Sequence, residues 1–456
     1  MESLKQTYFS IIFCAYAIFA EVRPLFVFPN GELYMRSEHL QNITICDIVE
    51  VTNISEILSD WRCHLMDKTP ATDVCRWRGI HCSVSIVDSI NLMDYHISGI
   101  IPDSIGYLSN LISLELQGNN LKSTIPSAIG YLHLLEHLDF STNTLTGTIP
   151  TSIGALNSLT FFGIDRNSLT GSIPSAIGNL KSLKELYAFD NSLTYSIPNQ
   201  ISDLIILEIF DAKYNKLSSS IPSAIGSLSA SLTNLNLAHN NFDSTIPSSI
   251  CDLKNLEHLY LSDNNLFGNL PTCLTDLTEL RHLELQNNSL SGRISNALNS
   301  LTSLQKLMLQ TNEFTSSISP AFGNSLVHLQ ALELYGNHIT SSIPTSLCLL
   351  SSLQYLLLSY NSIQSFVPSC IGKLSSLIYL DLSHNLITFT IPPSIGRLTN
   401  IQVLRLNSNY LNGSIPVSMA NLNSLLYINL ASNRLSGAPP GFVCGIESLS
   451  YLLFSK

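Results

Sequence analysis

Charge is what this chain has least of. Only 12% of its 456 residues are Asp, Glu, Lys or Arg, against roughly 25% in an average soluble domain. The balance is acidic: 22 Lys and Arg against 33 Asp and Glu leave a formal charge of −11. A nucleic-acid binder needs a basic stripe to neutralise phosphates, and there is none. A disordered acidic tail needs high charge and few aliphatics, whereas 45% of this chain is hydrophobic. Long apolar runs are also missing after residue 20, so no later segment reaches the ~20 apolar residues of a membrane-spanning helix. Catalytic signatures are lacking too: no GxSxG, GxGxxG, phosphate-binding loop or HExxH occurs. The sequence therefore gives no reason to expect an enzyme, a cofactor or a bound metal.

Residues 1–20 are the exception to the missing runs. Lys5 precedes an apolar stretch from Phe9 to Ala20 that ends in small residues. That is the pattern of a secretory signal peptide, too short for a stable membrane anchor. Its removal would take away Cys14 and leave nine of the ten cysteines in an oxidising compartment.

What the chain does have is a period. The string LxxLxLxxNxL recurs with Asn at 119, 143, 167, 191, 215, 240, 264, 288, 312, 337, 361, 385, 409 and 433. The spacing is 24 residues, except 25 between Asn215 and Asn240 and between Asn312 and Asn337. An earlier unit carries Tyr95 in the Asn place, which makes fifteen units. LxL has period 2, so each unit opens with a short strand whose Leu residues point inward. The Asn amide can donate and accept where the chain turns away. Gly stands four residues after the Asn place in seven units, and Pro starts the return segment in thirteen of the fifteen, Ser295 and Ser319 being the exceptions. One unit cannot bury its Leu face alone, but stacked units bury it continuously. The expectation is an α/β-type solenoid with a parallel sheet along its concave side.

The segment from Leu159 to Leu180 shows the fuller motif LxxLxLxxNxLxGxIPxxIGxL, with Phe162 and Ile164 in two Leu places. It resembles the plant-type extracellular leucine-rich repeat family, over residues 87–456. The resemblance implies a right-handed superhelix, twisted like a horseshoe. Residues 21–86 resemble the family's N-terminal cap: Cys75-Arg76-Trp77-Arg78-Gly79-Ile80-His81-Cys82 follows its C-x-W-x-G-V-x-C signature, and Leu58-Ser59-Asp60-Trp61 its LSxW. The only two Trp residues, Trp61 and Trp77, lie in this cap, where large aromatic faces can cover the first Leu layer.

The resemblance implies a Cys75–Cys82 bridge. Zinc held by these cysteines with His64 and His81 is the rival, but no tetrahedral ligand spacing is present. Cys46 and Cys63 are free to pair, though the family's cap does not demand it. Cys251 and Cys273 stand 22 residues apart in adjacent coils, and Cys348 and Cys370 repeat that placement. This resembles the paired cysteines of plant receptor-like proteins. Each bridge would contribute about 3 kcal/mol by loop entropy. Cys444 occupies the slot of Cys251 and Cys348, and its partner would fall beyond Lys456. The strand of a sixteenth unit begins at Leu449, so the sequence reads as breaking off within a repeat.

Outward strand residues lie six, four, two and one places before each Asn. Most are bland and polar, such as Ser141, Ser262 and Ser383. Units four to six differ: Phe161, Tyr187, Phe189 and Tyr214 stand beside Asp165, Arg166, Glu185, Asp190, Asp211 and Lys213. Exposed aromatics interleaved with charge are the composition of a protein-binding hot spot. A second run holds Tyr335, Tyr355, Tyr360 and Tyr379, and His258 and His282 share a slot on adjacent strands. Peptide receptors of the family often hold a peptide carboxylate with two neighbouring Arg residues; here Arg405 stands alone. Sequons at Asn42, Asn53, Asn287 and Asn412 suit a secreted glycoprotein.

The expected function is an extracellular recognition module in signalling or defence. Its expected partners are a peptide or protein ligand on the concave face and a co-receptor ectodomain at the rim. It would be secreted or sit on the outer face of the plasma membrane. The alternative is a soluble inhibitor of cell-wall hydrolases, similar to polygalacturonase inhibitors, although those have fewer repeats. A structural or ice-binding solenoid would need identical outward residues, and these vary.

Overall fold

The computed structural model describes residues 26–27, 33–34, 37–64, 69–70, 72–294, 298–437 and 449–453. The segment read as a signal peptide, Cys14, Ser295 and Cys444 lie outside these residues. No helix among the described residues is long and apolar enough to cross a membrane.

Sixteen short parallel strands run from Ile86–Asn91 to Tyr451–Leu453 in one open sheet. The register is set by the central inward residue of each strand: Leu138, Phe162, Leu186 and Phe210 are direct partners in successive strands. All four are buried, and each such side chain stabilises the stack by roughly 2–3 kcal/mol. Every strand therefore adds one layer to a continuous core, as the period requires.

The Asn ladder does the turning. Asn167 Nδ2 donates to Phe140 O at 2.9 Å, and its Oδ1 accepts from Leu145 N at 2.9 Å. The same pair of bonds, back into the preceding coil, recurs from Asn119 (2.7 and 2.8 Å) to Asn433 (2.9 and 3.0 Å). Each amide satisfies one buried carbonyl and one buried N–H that would otherwise be orphaned. The residue just before the Asn is left-handed throughout this ladder, including Arg166 (φ 50°), Tyr214 (φ 51°) and Tyr360 (φ 52°).

Two features of the coil go beyond the sequence expectation. The return segments are 3-10 turns rather than α-helices. In most units Pro sits immediately before the turn, as Pro150 (φ −68°, ψ 142°) does before Thr151–Ala155. The two 25-residue units absorb their extra residue here: one has a six-residue turn, Ser223–Leu228, and the other a short α-helix, Phe322–Ser325. The second feature is a discontinuous outer layer of short parallel strands after the Asn, such as Thr170–Gly171, Ser192–Tyr195 and Lys216–Ser219. The slot four after the Asn is left-handed here. Gly171 fills it at φ 74°, but Tyr195, Ser219 and Phe389 also take it, at φ 66°, 67° and 64°.

The cap packs the helix Ser37–Val51 against the first coils: Gln41 Oε1 accepts from Val87 N at 2.8 Å, and Thr44 Oγ1 donates to Ser104 O at 3.0 Å. Trp61 and Trp77 are buried with ring centroids 5.3 Å apart. Their indoles donate to Arg78 O and Thr72 Oγ1. Disulfides join Cys46 to Cys63 and Cys75 to Cys82, so these thiols are not zinc ligands. Cys251–Cys273 and Cys348–Cys370 tie neighbouring return turns, with Cα separations of 5.7 and 5.8 Å.

Candidate ligand-binding surface

The concave face is a set of rows, because residues at equivalent places in successive strands stack side by side. In the row before the central Leu, His137, Phe161 and Glu185 are direct partners. His137 stacks on Phe161 at 4.2 Å, and Phe161 meets Tyr187 at 5.6 Å with the rings tilted 44°. Tyr187 donates its hydroxyl to Glu185 Oε2 at 2.9 Å. Burial and the Glu185 carboxylate push the Tyr187 hydroxyl pKa up, which keeps it a donor. Phe189 carries both cations of the patch: Arg166 lies 5.2 Å and Lys213 4.8 Å from its ring centroid. Lys213 also reaches Asp211 at 3.5 Å. Tyr214 is half exposed and stacks on His239 at 4.1 Å. Of the ten residues picked out in units four to six, Phe161, Glu185 and Tyr187 form one contact cluster and Arg166, Phe189, Asp211 and Lys213 another, while Tyr214 contacts His239.

Two of them are less outward than their period suggests. Asp165 is only 7% exposed and Asp211 only 8%. Burial, reinforced by Asp139, pushes the Asp165 carboxyl up to about 6. Burial also raises Asp211, against the opposing pull of Lys213. Sequence reasoning missed His137, Asp139 and Gly163. All three can be found by writing the units in register, because they fill the same rows one unit earlier or one place along.

The second aromatic run is built differently. Tyr355 and Tyr379 pair in register, and Tyr360 stacks on His384 at 4.1 Å. Among the described residues Arg405 has no second Arg beside it; its guanidinium lies 5.7 Å from the Tyr379 ring and 4.9 Å from Tyr427, and 3.9 Å from Asp381. His258 and His282 meet with ring centroids 4.6 Å apart, and Tyr260 Oη lies 2.9 Å from His282 Nδ1. Burial lowers both imidazole pKa values, His282 to about 4, with His258 adding to that shift. The pair is therefore neutral near pH 7. Among the described residues no three His, Cys, Asp or Glu side chains group to hold a metal. Of the four sequons, Asn287 and Asn412 are exposed and Asn42 and Asn53 are half-buried; Asn53 Oδ1 accepts from Ser98 N at 2.6 Å.

The repeat geometry has a counterpart in known proteins. The family described as "Leucine-rich repeat region" matches residues 91–219 and 199–342, more than half of the chain, and "Leucine rich repeat" matches 351–411. The chain belongs to the leucine-rich repeat family. A curated relative is the LRR receptor-like serine/threonine-protein kinase ERECTA of Arabidopsis thaliana, 36% identical over 69 residues. That stretch is 15% of this chain and 7% of the relative's length. Among solved structures, a TDR receptor is 30% identical with TM-score 0.73, covering 79% of this chain and 67% of that one. The Arabidopsis receptor kinase HAESA, in complex with the peptide hormone IDA and the co-receptor SERK1, is 28% identical with TM-score 0.58 over 91% and 89%. This repeat chain is thus a plant LRR receptor-like ectodomain in its fold and relatives.

Proposed function

We propose that this leucine-rich repeat chain is an extracellular recognition module that holds a peptide or protein ligand on units four to six of its concave face. The observation that carries the reading is two aromatic clusters on neighbouring coils, Phe161 with Tyr187 and Phe189 with Arg166 and Lys213, set among Asp165, Glu185 and Asp211. Amphipathic rings with few rotatable bonds supply contact area at low entropic cost, and hot spots form on such clusters. Relatives that bind peptide hormones support it. A co-receptor ectodomain would engage the rim, residues 1–20 would direct secretion, and the chain would act by binding rather than by catalysis. A signalling or defence role is part of the same proposal, supported on the signalling side by receptor kinases among the relatives.

The test is capture of displayed peptides and partner ectodomains by the secreted chain, compared with a Phe161→Ser, Tyr187→Ser, Phe189→Ser variant. Capture that drops at least a hundredfold supports the reading. Unchanged affinity overturns it.

A further inference from the structure

We propose that Asn412 carries an N-linked glycan whose first sugar stacks on the ring of Tyr410. The proposal rests on the extracellular reading above, because the sugar is transferred only to chains that enter the secretory route. In the transfer, Asn412 Nδ2 forms a bond to the anomeric carbon of a lipid diphosphate-linked oligosaccharide. The bond from that carbon to the diphosphate oxygen breaks, the lipid diphosphate leaves, and the amide nitrogen gives up one proton. Nothing is oxidised or reduced.

The fold sets this sequon apart from the other three. Asn42 and Asn53 are half-buried in the cap, and Asn53 Oδ1 accepts from Ser98 N at 2.6 Å. Asn287 is exposed, but its Nδ2, the atom that would bear the sugar, donates to Asp263 Oδ1 at 2.8 Å. Asn412 is exposed on the outer strand Asn412–Gly413, followed by Ser414. Among the described residues its side chain has no hydrogen-bond partner, so a sugar on Nδ2 displaces nothing.

Tyr410 lies on the same face as Asn412. The backbone between them is extended along the preceding coil: Tyr410 N donates to Ile387 O and Asn412 N to Phe389 O, both at 2.8 Å. In an extended strand alternate side chains share a face. Leu411, between the two, is fully buried, whereas Tyr410 is 41% exposed. Arg434 is the direct partner of Asn412 on the next coil, and its guanidinium lies 4.7 Å from the Tyr410 ring centroid. The cation backs one face of the ring while much of the ring stays open. A pyranose offers a face of C–H bonds, and these weakly positive hydrogens suit the negative face of an aromatic ring. The same glycan covers Leu386 and Phe389 of the preceding coil, which are otherwise exposed apolar side chains.

The full chain, secreted from a eukaryotic host, is mapped by glycopeptide mass spectrometry. Asn412 should be modified in most molecules. Amide exchange over residues 410–414 should then be roughly threefold slower than in Asn412→Gln, which lacks the sugar. That protection should vanish when Tyr410→Ser is made and persist with Tyr410→Phe, which keeps the ring. Tyr410→Phe keeps the test decisive if Tyr410→Ser fails to fold. An unmodified Asn412 on a secreted chain that is glycosylated at Asn287 overturns the proposal and leaves the extracellular reading standing. A glycan on Asn412 that slows exchange equally with Tyr or Ser at position 410 also overturns it. A chain retained in the cell with no sequon modified overturns both readings. A chain glycosylated at Asn412 that captures no peptide or partner supports the glycan and overturns the ligand-binding reading alone.

Discussion

Two stretches of the concave face carry aromatics, and they are not alike. Around Arg405 the guanidinium lies over Tyr379 and Tyr427 with Asp381 at 3.9 Å, while its Nε is buried with no hydrogen-bond partner among the described residues. Around Gly163 the carboxylates outnumber the cations, and Asp165 is buried without a cation at ion-pair distance. The difference teaches that aromatic content alone does not mark a binding surface, since strands favour such residues anyway. A carboxyl whose pKa is raised by burial beside the rings is the stronger sign, because perturbed titration clusters at functional sites.

The comparison assumes that both stretches stand on the same scaffold, and the largest effect tests that. Asn167→Ala and Asn409→Ala each strand a carbonyl and an N–H of the neighbouring coil. With about 1–3 kcal/mol per stranded group, each variant should lose about 2–5 kcal/mol in urea unfolding, and by similar amounts. A loss confined to one of them would mean the two regions are not equivalent frameworks. Next in size is ligand capture. Tyr355→Ser, Tyr379→Ser and Tyr427→Ser together should change it less than threefold, against the hundredfold loss expected from the triple change in units four to six. Equal losses would erase the distinction.

Acid provides a finer contrast. The folded-state pKa of Asp165 is raised from 3.8 to about 6. A raised carboxyl favours the folded state below the unfolded value, and that advantage is lost as pH rises through 6. Asp165→Asn should therefore raise Tm at pH 7.5 and leave it unchanged near pH 4. Asp381→Asn should lower Tm slightly at pH 7.5, because it loses the charge facing Arg405 while its amide oxygen can still accept from Ser383 N. A Tm gain for Asp165→Asn at both pH values would show that its burial is not a charge effect. The smallest effect is expected from Arg405→Lys, which removes a planar cation from between two rings. It should cost about 0.5–1 kcal/mol, measured by urea unfolding, with ligand capture unchanged.

Much of the fold was legible because it repeats. A strand that recurs every 24 residues must stack in register, and the Asn must serve the backbone in every coil. The helical returns and outer strands were less legible. A 3-10 turn and an α turn need the same apolar spacing over five residues. The left-handed slot after the Asn is filled by Tyr195 and Phe389 as well as by Gly, so residue type does not announce it. In the candidate surface, the aromatics were readable as departures from a polar rule. The burial of Asp165 and Asp211 was not, since it depends on rings and carboxylates contributed by neighbouring coils. The partners of Arg405 were hidden for the same reason: Tyr379 and Tyr427 belong to the units on either side.

Photo-crosslinking addresses the distinction between the two stretches most directly. A captured peptide carrying a benzophenone is irradiated on the full chain, and the joined residues are mapped by mass spectrometry. Crosslinks falling between Phe161 and Tyr214 are the predicted result. Crosslinks confined to the stretch from Tyr355 to Tyr427 would contradict it.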